Sequence, residues 1–331
     1  MNKDIKALIV GVGIIGVRHA KAQKSFGIET ALYDISKEKA KKTAQELHIT
    51  AFDSLDEALN WATLVHICVP DELHKDFVME CIKRNKHILC EKPLTTNLQD
   101  ALVIQEITKK KNIHIFVVAN NYRLTPSFLE IHKQVQKNHV GKIISLKATY
   151  LHDLRPVLKK TPWRVHQDFL YGGGIHAIDL VHWISSEKAI RVYAQTGVKM
   201  IRSYQLPEDY HLFITFASGM VAEVWANARA VLPVHRSDLE VYGEKGSLIA
   251  SNRSTSIKYY QYKQKEKQFL SKNIVKGWRY TVPREIAIVN KFIQGKIKSH
   301  WPLPSLDEAV EVIRIVDAAE RSIKMGKVVN L

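Results

Sequence analysis

The sequence predicts an α/β protein. It combines a doubly wound, parallel Rossmann sheet with a following α+β domain built on a large, mostly antiparallel open sheet. Three observations carry this. Short apolar runs alternate with helical stretches from Ile5 to Ala119. The pattern Gly11-Val12-Gly13-Ile14-Ile15-Gly16 falls between the first apolar run and the first helix. Beyond Tyr122 the alternation stops, and strand follows strand across turns such as Ser218-Gly219 and Gly243-Glu244-Lys245-Gly246.

Ile5–Val10 is continuously apolar and bounded by glycine, as for a strand covered on both faces. A helix then runs to Phe26, and Thr30–Tyr33 is a strand ending at Asp34. Ser36 caps a helix over Lys37–Leu47, and Ser54 caps another over Leu55–Trp61, with a short strand Ile49–Phe52 between them. Leu64–Val69 is a strand stopped by Pro70, and Asp71–Asn85 is an amphipathic helix. His87–Cys90 is a strand running into Glu91-Lys92-Pro93, followed by a helix at Gln99–Lys110 and a strand at His114–Ala119.

The second part opens with a helix at Ser127–Lys137 and a strand at Ile143–His152. Asp153–Tyr171 reads as loop, and Gly172–Ser185 contains a helix. Strands follow at Ile190–Ile201, Tyr210–Phe216, Met220–Ala228 and Leu239–Tyr242. The last helix, Ser305–Met325, begins with Ser305 and Glu308 in capping-box spacing. The expected division is a dinucleotide-binding domain over 1–121 and a substrate-binding and oligomerisation domain over 122–331. The helix 305–325 is expected to pack back on the first domain.

The hydrophobic share of 46% and charged share of 25% are ordinary for a globular protein. The net charge of +16 is not, and it favours anionic partners such as phosphorylated metabolites or nucleotide-linked sugars. No basic stripe with interleaved aromatics is present, so no nucleic-acid partner is expected. The N-terminus has no signal-peptide pattern, and the longest apolar stretch, Ala7–Val17, is too short to span a bilayer. A cytoplasmic protein with no membrane partner is expected. Cys68, Cys81 and Cys90 are odd in number and lack metal-ligand spacing; they read as buried thiols in a reducing compartment, with no metal site.

The glycine pattern suits a dinucleotide. Gly11 permits the tight turn, Gly13 lets the backbone approach a pyrophosphate, and Gly16 lets helix and strand pack closely. Ile14 and Ile15 open the helix whose N-terminal N–H groups and dipole would receive the phosphates. Asp34 ends the second strand, where a carboxylate binds the ribose 2′-hydroxyl. It favours NAD over NADP, although Ser36, Lys37 and Lys39 nearby leave NADP open. Pro70 and His74 follow the fourth strand at the ligand-binding edge of the sheet and could line the nicotinamide end; a surface helix start explains His74 equally well.

Lys92 ends the fifth strand at that edge, beside Glu91. Its ammonium can stabilise a developing alkoxide or polarise a ketone. An exposed lysine paired with Glu91 is the plainer alternative. His176 and Asp179 lie three apart, hence on one helical face. The imidazole suits a hydroxyl proton, with Asp179 to orient it.

Together, GVGIIGVRH, ICVPDELH, HILCEKPLT, NNYR, PWR, GGGIHAIDLVHW, GEKGSL and the closing SLDEAVEVIRIVDAAERSIKMGK resemble the Gfo/Idh/MocA oxidoreductases, the glucose–fructose oxidoreductase and inositol dehydrogenase group. The resemblance implies NAD(P)-dependent hydride transfer at a hydroxyl or keto carbon of a sugar, cyclitol or sugar derivative. It implies Lys92 and His176 at the reacting carbon, with Glu91 in the cofactor-side EKP motif. It implies substrate contacts from Arg123, His152 and Arg164, and a homodimer or homotetramer formed through the C-terminal sheet. One departure stands out: many members carry an aspartate four residues before the histidine, where this chain has Gly172. Support for His176 is then expected from Asp179, Asp153 or Asp168. The departure also keeps open a non-catalytic dinucleotide sensor; separately, the same site could run as an NADP-dependent ketosugar or imine reductase, with Asp34 weighing against it.

Overall fold

The computed structural model describes residues 4–111, 116–202, 204–232, 235–254, 256–262, 266–270 and 281–331. By internal contacts the chain forms two units, Met1–Asn121 with Arg279–Val310, and Tyr122–Trp278 with Glu311–Leu331.

In the first unit β1 (Lys6–Val10), α1 (Ile14–Ser25), β2 (Glu29–Tyr33), α2 (Lys37–Leu47), β3 (Thr50–Ala51), α3 (Leu55–Trp61), β4 (Leu64–Ile67), α4 (His74–Lys83), β5 (His87–Glu91), α5 (Leu98–Lys111) and β6 (Phe116–Ala119) alternate. The sheet order is β3-β2-β1-β4-β5-β6, with every pair parallel. The chain steps outward from β1 in one direction and then returns to β1 and steps the other way. That reversal places the Gly11–Gly16 turn at the topological switch point, where open α/β sheets bind ligands. The strands are apolar throughout because both faces are covered: Ala7, Leu8, Ile9, Leu64, Val65, Ile67, Ile88 and Leu89 are all fully buried.

The local signals act as read. Ser36 Oγ accepts from Lys39 N–H and Ser54 Oγ from Glu57 N–H, capping α2 and α3. Asp71–Asn85 is less uniform than expected: a 3-10 turn over Asp71–Leu73 precedes α4. Of the expected strand His114–Ala119, residues 114 and 115 lie outside the described residues. A helix absent from the sequence reading, α9 (Thr281–Ile293), belongs to this unit and packs on α1. There the Gln23 and Asn290 side-chain amides exchange hydrogen bonds at 3.1 and 2.7 Å.

The second unit contains α6 (Pro126–Gln136), β7 (Ile143–Leu151), α7 (Arg155–Lys160), α8 (Ile175–Ser185), β8 (Ala189–Thr196), β9 (Asp209–Phe216), β10 (Val221–Asn227), β11 (Asp238–Gly243), β12 (Ser247–Ser251), β13 (Ser256–Tyr260) and β14 (Lys267–Leu270). The final helix α10 (Leu306–Met325), which enters this unit at Glu311, and β15 (Val329–Asn330) follow. Among the described residues the sheet has nine strands, β14-β13-β12-β11-β7-β10-β9-β8-β15, antiparallel at every pairing except β7 with β10. Strands β12 to β15 were not anticipated: they are short, and their apolar alternation is weak. Along β9 and β10, Leu212, Ile214, Ala222 and Val224 are fully buried on one face, while Phe213 and Val221 on the other are exposed.

Helix α8 packs on β7 and β10 and is buried along almost its whole length. The expected loop Asp153–Tyr171 is more ordered than its sequence suggested. It contains α7, a 3-10 turn at Pro162–His166 and the start of a π-turn, Leu170–Gly174, that leads into α8. The capping box on α10 forms: Glu308 Oε2 accepts from Ser305 N–H at 2.9 Å and Ser305 Oγ from Glu308 N–H at 3.3 Å.

Candidate active site

The glycine turn is a packing requirement as well as a binding one. Gly11 has φ +92°, and a Cβ there would lie 2.6 Å from the Cys68 carbonyl oxygen. A Cβ on Gly16 would lie 1.9 Å from the Gly11 oxygen. Gly13 differs: its backbone is extended, and a Cβ would meet nothing within 4 Å. The space above Gly13 is therefore open, and no side chain caps the α1 N-terminus that begins at Ile14. An uncapped helix start with open space before it fits a pyrophosphate. Ile15 and Gly16 complete that first turn.

Asp34 is held in register with this turn. Its Oδ2 accepts from Val12 N–H at 2.7 Å and its Oδ1 from Ser36 N–H at 3.0 Å. Both bonds fix the carboxylate at the end of β2 beside the glycine turn.

Pro70 begins the turn into α4, but His74 is fully buried. Its Nδ1 lies 2.6 Å from the Pro93 carbonyl and its Nε2 3.1 Å from the Val69 carbonyl. Such a ring ties the β4 edge to the segment after Lys92. That burial excludes the surface helix start and gives the ring a structural place between two carbonyls.

Glu91 faces inward. Its Oε1 lies 3.1 Å from His19 Nε2. Behind His19 runs a buried chain in which His19 Nδ1 meets His66 Nδ1 at 2.9 Å and Gln23 Nε2 donates to His66 Nε2 at 2.9 Å. Burial, then the neighbouring His19, pulls His66 well below the usual histidine range, so it stays neutral. Among the described residues His19, Glu91 and Glu285 place one potential donor atom each within 4.8 Å of one another. None of the three was grouped by sequence reasoning: His19 sat in a glycine-motif helix and Glu285 in an unread one. Burial also holds all three thiols protonated, Cys68 and Cys90 well up and Cys81 at about 12.

In the second unit His176 is 6% exposed and stacks on Tyr122 with ring centroids 4.3 Å apart. Tyr150 lies 5.4 Å from it, His235 6.4 Å from Tyr150, and His152 5.7 Å from His235. Tyr150, His152 and His235 are partly exposed, so the cluster reaches the surface. Burial pushes the Tyr150 phenol up to about 12 and, with His152 and Arg253 adding to it, pulls His235 down to about 4. Tyr150 and His235 escaped the sequence reading because an alternating strand and a loop show no motif.

The glycine run before His176 has a packing cause. A Cβ on Gly173 would lie 2.6 Å from Tyr150 Cε1, and one on Gly174 2.9 Å from Leu170 Cδ1. A Cβ on Gly172 would meet the Gln167 side chain at 3.0 Å. Glycines thus let the π-turn bring the start of α8 against Tyr150.

Two expected roles change. Asp179 forms a bidentate pair with Arg123, at 2.8 Å to Nε and 2.6 Å to the second guanidinium nitrogen, and each residue is 1% exposed. Arg123 also lies over the Trp183 ring at 5.5 Å. Burial demands that each charge be matched, so Arg123 is not a surface substrate ligand and Asp179 is not free to serve His176 alone. Of the alternative acids, Asp153 pairs with Arg155 at 2.7 Å, and Asp168 accepts from Tyr210 Oη at 2.8 Å. Arg164 lies over the Trp163 ring at 4.5 Å and donates to Gln167.

The family model described as an oxidoreductase family with an NAD-binding Rossmann fold matches residues 5–119, and the model of the Gfo/Idh/MocA C-terminal domain matches 128–249. The chain belongs to the Gfo/Idh/MocA oxidoreductases and carries their NAD-binding domain. Among curated relatives, a myo-inositol 2-dehydrogenase of Thermotoga maritima is 27% identical, over 75% of this chain and 76% of its own. A levoglucosan dehydrogenase of Pseudarthrobacter phenanthrenivorans is 25% identical over 77% and 69%. A levoglucosan dehydrogenase solved with NADH superposes with a TM-score of 0.88 at 20% identity, covering 98% of each chain, and so shares the fold. No helix among the described residues is long and apolar enough to cross a membrane.

Proposed function

We propose that this protein is an NAD-dependent dehydrogenase that oxidises a hydroxyl-bearing carbon of a sugar, cyclitol or sugar derivative. The observation that carries the substrate class is the cluster of Tyr122, Tyr150, His152, His176 and His235. Ring faces and imidazole nitrogens set side by side suit a polyol, which offers apolar C–H faces and polar edges together. The +16 charge favours phosphorylated or nucleotide-linked members of that class.

NAD, when bound, supplies the hydride acceptor. The α1 N-terminus takes its pyrophosphate, and the Asp34 carboxylate accepts from its ribose hydroxyls. Lys92 holds the reacting oxygen and stabilises its developing charge. His176 accepts the hydroxyl proton at an imidazole nitrogen. The Tyr122 ring at 4.3 Å presents its electron-rich face to the imidazolium that results. His235, held neutral, can donate to or accept from a substrate hydroxyl, and Arg164 and His152 supply further polar contacts.

The β-sheet face bearing Phe213 and Val221, 48% and 39% exposed, together with Tyr193 and Trp225, supports a homodimer or homotetramer. Three free thiols support a reducing, cytoplasmic compartment.

The test is a titration with NAD(H) and NADP(H), followed by NADH-absorbance assays across sugars, cyclitols, sugar phosphates and nucleotide sugars. Turnover that disappears in Lys92→Ala supports the reading. Tight NAD binding with no turnover on any class of the panel overturns it in favour of a sensor.

A further inference from the structure

Glu285 is the most anomalous buried side chain in the first unit. It is 0% exposed, and neither carboxyl oxygen has a hydrogen-bond partner among the described residues. It projects from α9 toward the donor atoms of His19 and Glu91, all within 4.8 Å. A second charge beside Glu91 in such a place, with no donor, would be strongly unfavourable.

The buried chain behind His19 decides what occupies this position. Asn290 Nδ2 donates to Gln23 Oε1 at 2.7 Å, while Gln23 Nε2 donates both to Asn290 Oδ1 and to His66 Nε2. With the Gln23 and Asn290 amides oriented as they are, His66 Nε2 is an acceptor, so its proton sits on Nδ1 and points at His19 Nδ1. His19 in turn carries its proton on Nε2 and donates it to Glu91 Oε1. Every donor therefore runs toward Glu91, which the chain holds as a carboxylate. A divalent cation among these three residues would need the His19 Nε2 lone pair, and hence reversal of the whole chain. A proton needs no rearrangement.

We propose that Glu285 carries the proton of a Glu285–Glu91 carboxyl pair, and that this neutral acid positions Glu91 and, through it, Lys92. The pair then holds one negative charge, stabilised on one side by His19 N–H and on the other by the Glu285 hydroxyl. Glu91 ends β5 and Lys92 follows it directly, so an immobilised Glu91 sets where the Lys92 backbone leaves the strand. The titratable or charged groups around the pair are His19 from α1, His66 and Cys68 from β4 and the segment after it, Cys90 and Lys92 from β5 and its extension, and His74 from α4. Burial and then Glu91 drive the Glu285 carboxyl well up from the usual range, in the same direction as the geometry. The positioning role rests on the dehydrogenase reading above; the proton does not.

Full-length wild type is compared with E285Q, which mimics the neutral acid and keeps a donor, and E285L, which keeps bulk and removes it. The expected infrared spectrum at neutral pH contains the carbonyl stretch of a protonated carboxyl that E285Q lacks. A raised acid pKa favours folding below the unfolded value of 4.5 and loses that contribution as pH rises. The melting temperature of wild type minus that of E285Q is accordingly expected to fall with rising pH. With a substrate in hand, E285L loses about tenfold in kcat with KM and NAD affinity little changed, and E285Q recovers most of that loss.

The proposal is overturned by absence of the carboxyl band, by equal pH slopes, by E285Q turning over no faster than E285L, or by one equivalent of divalent metal in purified wild type that E285Q lacks. Band, slope and metal content need no substrate. A panel without turnover therefore defeats the dehydrogenase reading alone, and a missing band defeats the proton alone.

Discussion

Arg123 and Asp179 form a buried bidentate ion pair, with nitrogen–oxygen distances of 2.8 and 2.6 Å. It anchors the 3-10 turn at Asn121–Leu124 to the face of α8 that also presents His176. Neither charge reaches solvent, so each depends on the other. Tyr122, next to Arg123, is thereby fixed where its ring stacks on His176.

Removing one partner should be costly. Arg123→Ala or Asp179→Ala is expected to destabilise the protein by about 3–5 kcal/mol, because the surviving charge stays buried and unmatched. Urea unfolding at neutral pH measures this. A loss below about 1 kcal/mol would show that water reaches the pair.

Two glycines of one motif should behave differently. Gly13→Ala meets open space on an extended backbone, so its melting temperature should match wild type while NAD affinity falls by about tenfold or more. Gly16→Ala drives a methyl to 1.9 Å from the Gly11 oxygen and should damage the fold itself. Calorimetry paired with NAD titration separates the two.

Asp34→Ala should weaken NAD more than NADP, since only NAD offers the ribose 2′-hydroxyl to the carboxylate. Equal weakening would mean that Asp34 acts only through its bonds to Val12 and Ser36.

Lys92→Ala and His176→Ala should each reduce turnover by about 10²–10⁴-fold while leaving the NAD dissociation constant within about twofold. Loss of NAD binding in either variant would reassign that residue to the cofactor.

Acid should destabilise the protein partly through His235. The unfolded imidazole titrates at 6.5, and burial, then His152 and Arg253, lower the folded value to about 4. A depressed histidine pKa leaves stability intact above 6.5 and lost progressively as pH falls toward 4. Melting temperature between pH 7 and 4 should fall more steeply for wild type than for His235→Asn.

Legibility followed the range of the interactions. Helices α2 and α3 match the sequence reading residue for residue, because serine caps and periodicity are local. Helix α9 went unread, and with it Glu285 and Asn290, whose neighbours His19 and Gln23 are more than 260 residues away. The segment Asp153–Tyr171 read as loop because its order comes from contacts such as Tyr210 with Asp168 and Tyr204 with the Gln167 carbonyl.

The sequence alone determined the alternation of strands and helices, the glycine turn, the acid at the end of β2 and the residue types available for chemistry. These depend on backbone sterics, capping and periodicity within a few residues. Tertiary structure alone decided which charges meet. Asp179 went to Arg123, His74 to two carbonyls, and Glu91 to His19 beside a Glu285 with no hydrogen-bond partner among the described residues. A buried charge or lone pair must find its match wherever the fold places one, and sequence spacing carries no record of that distance.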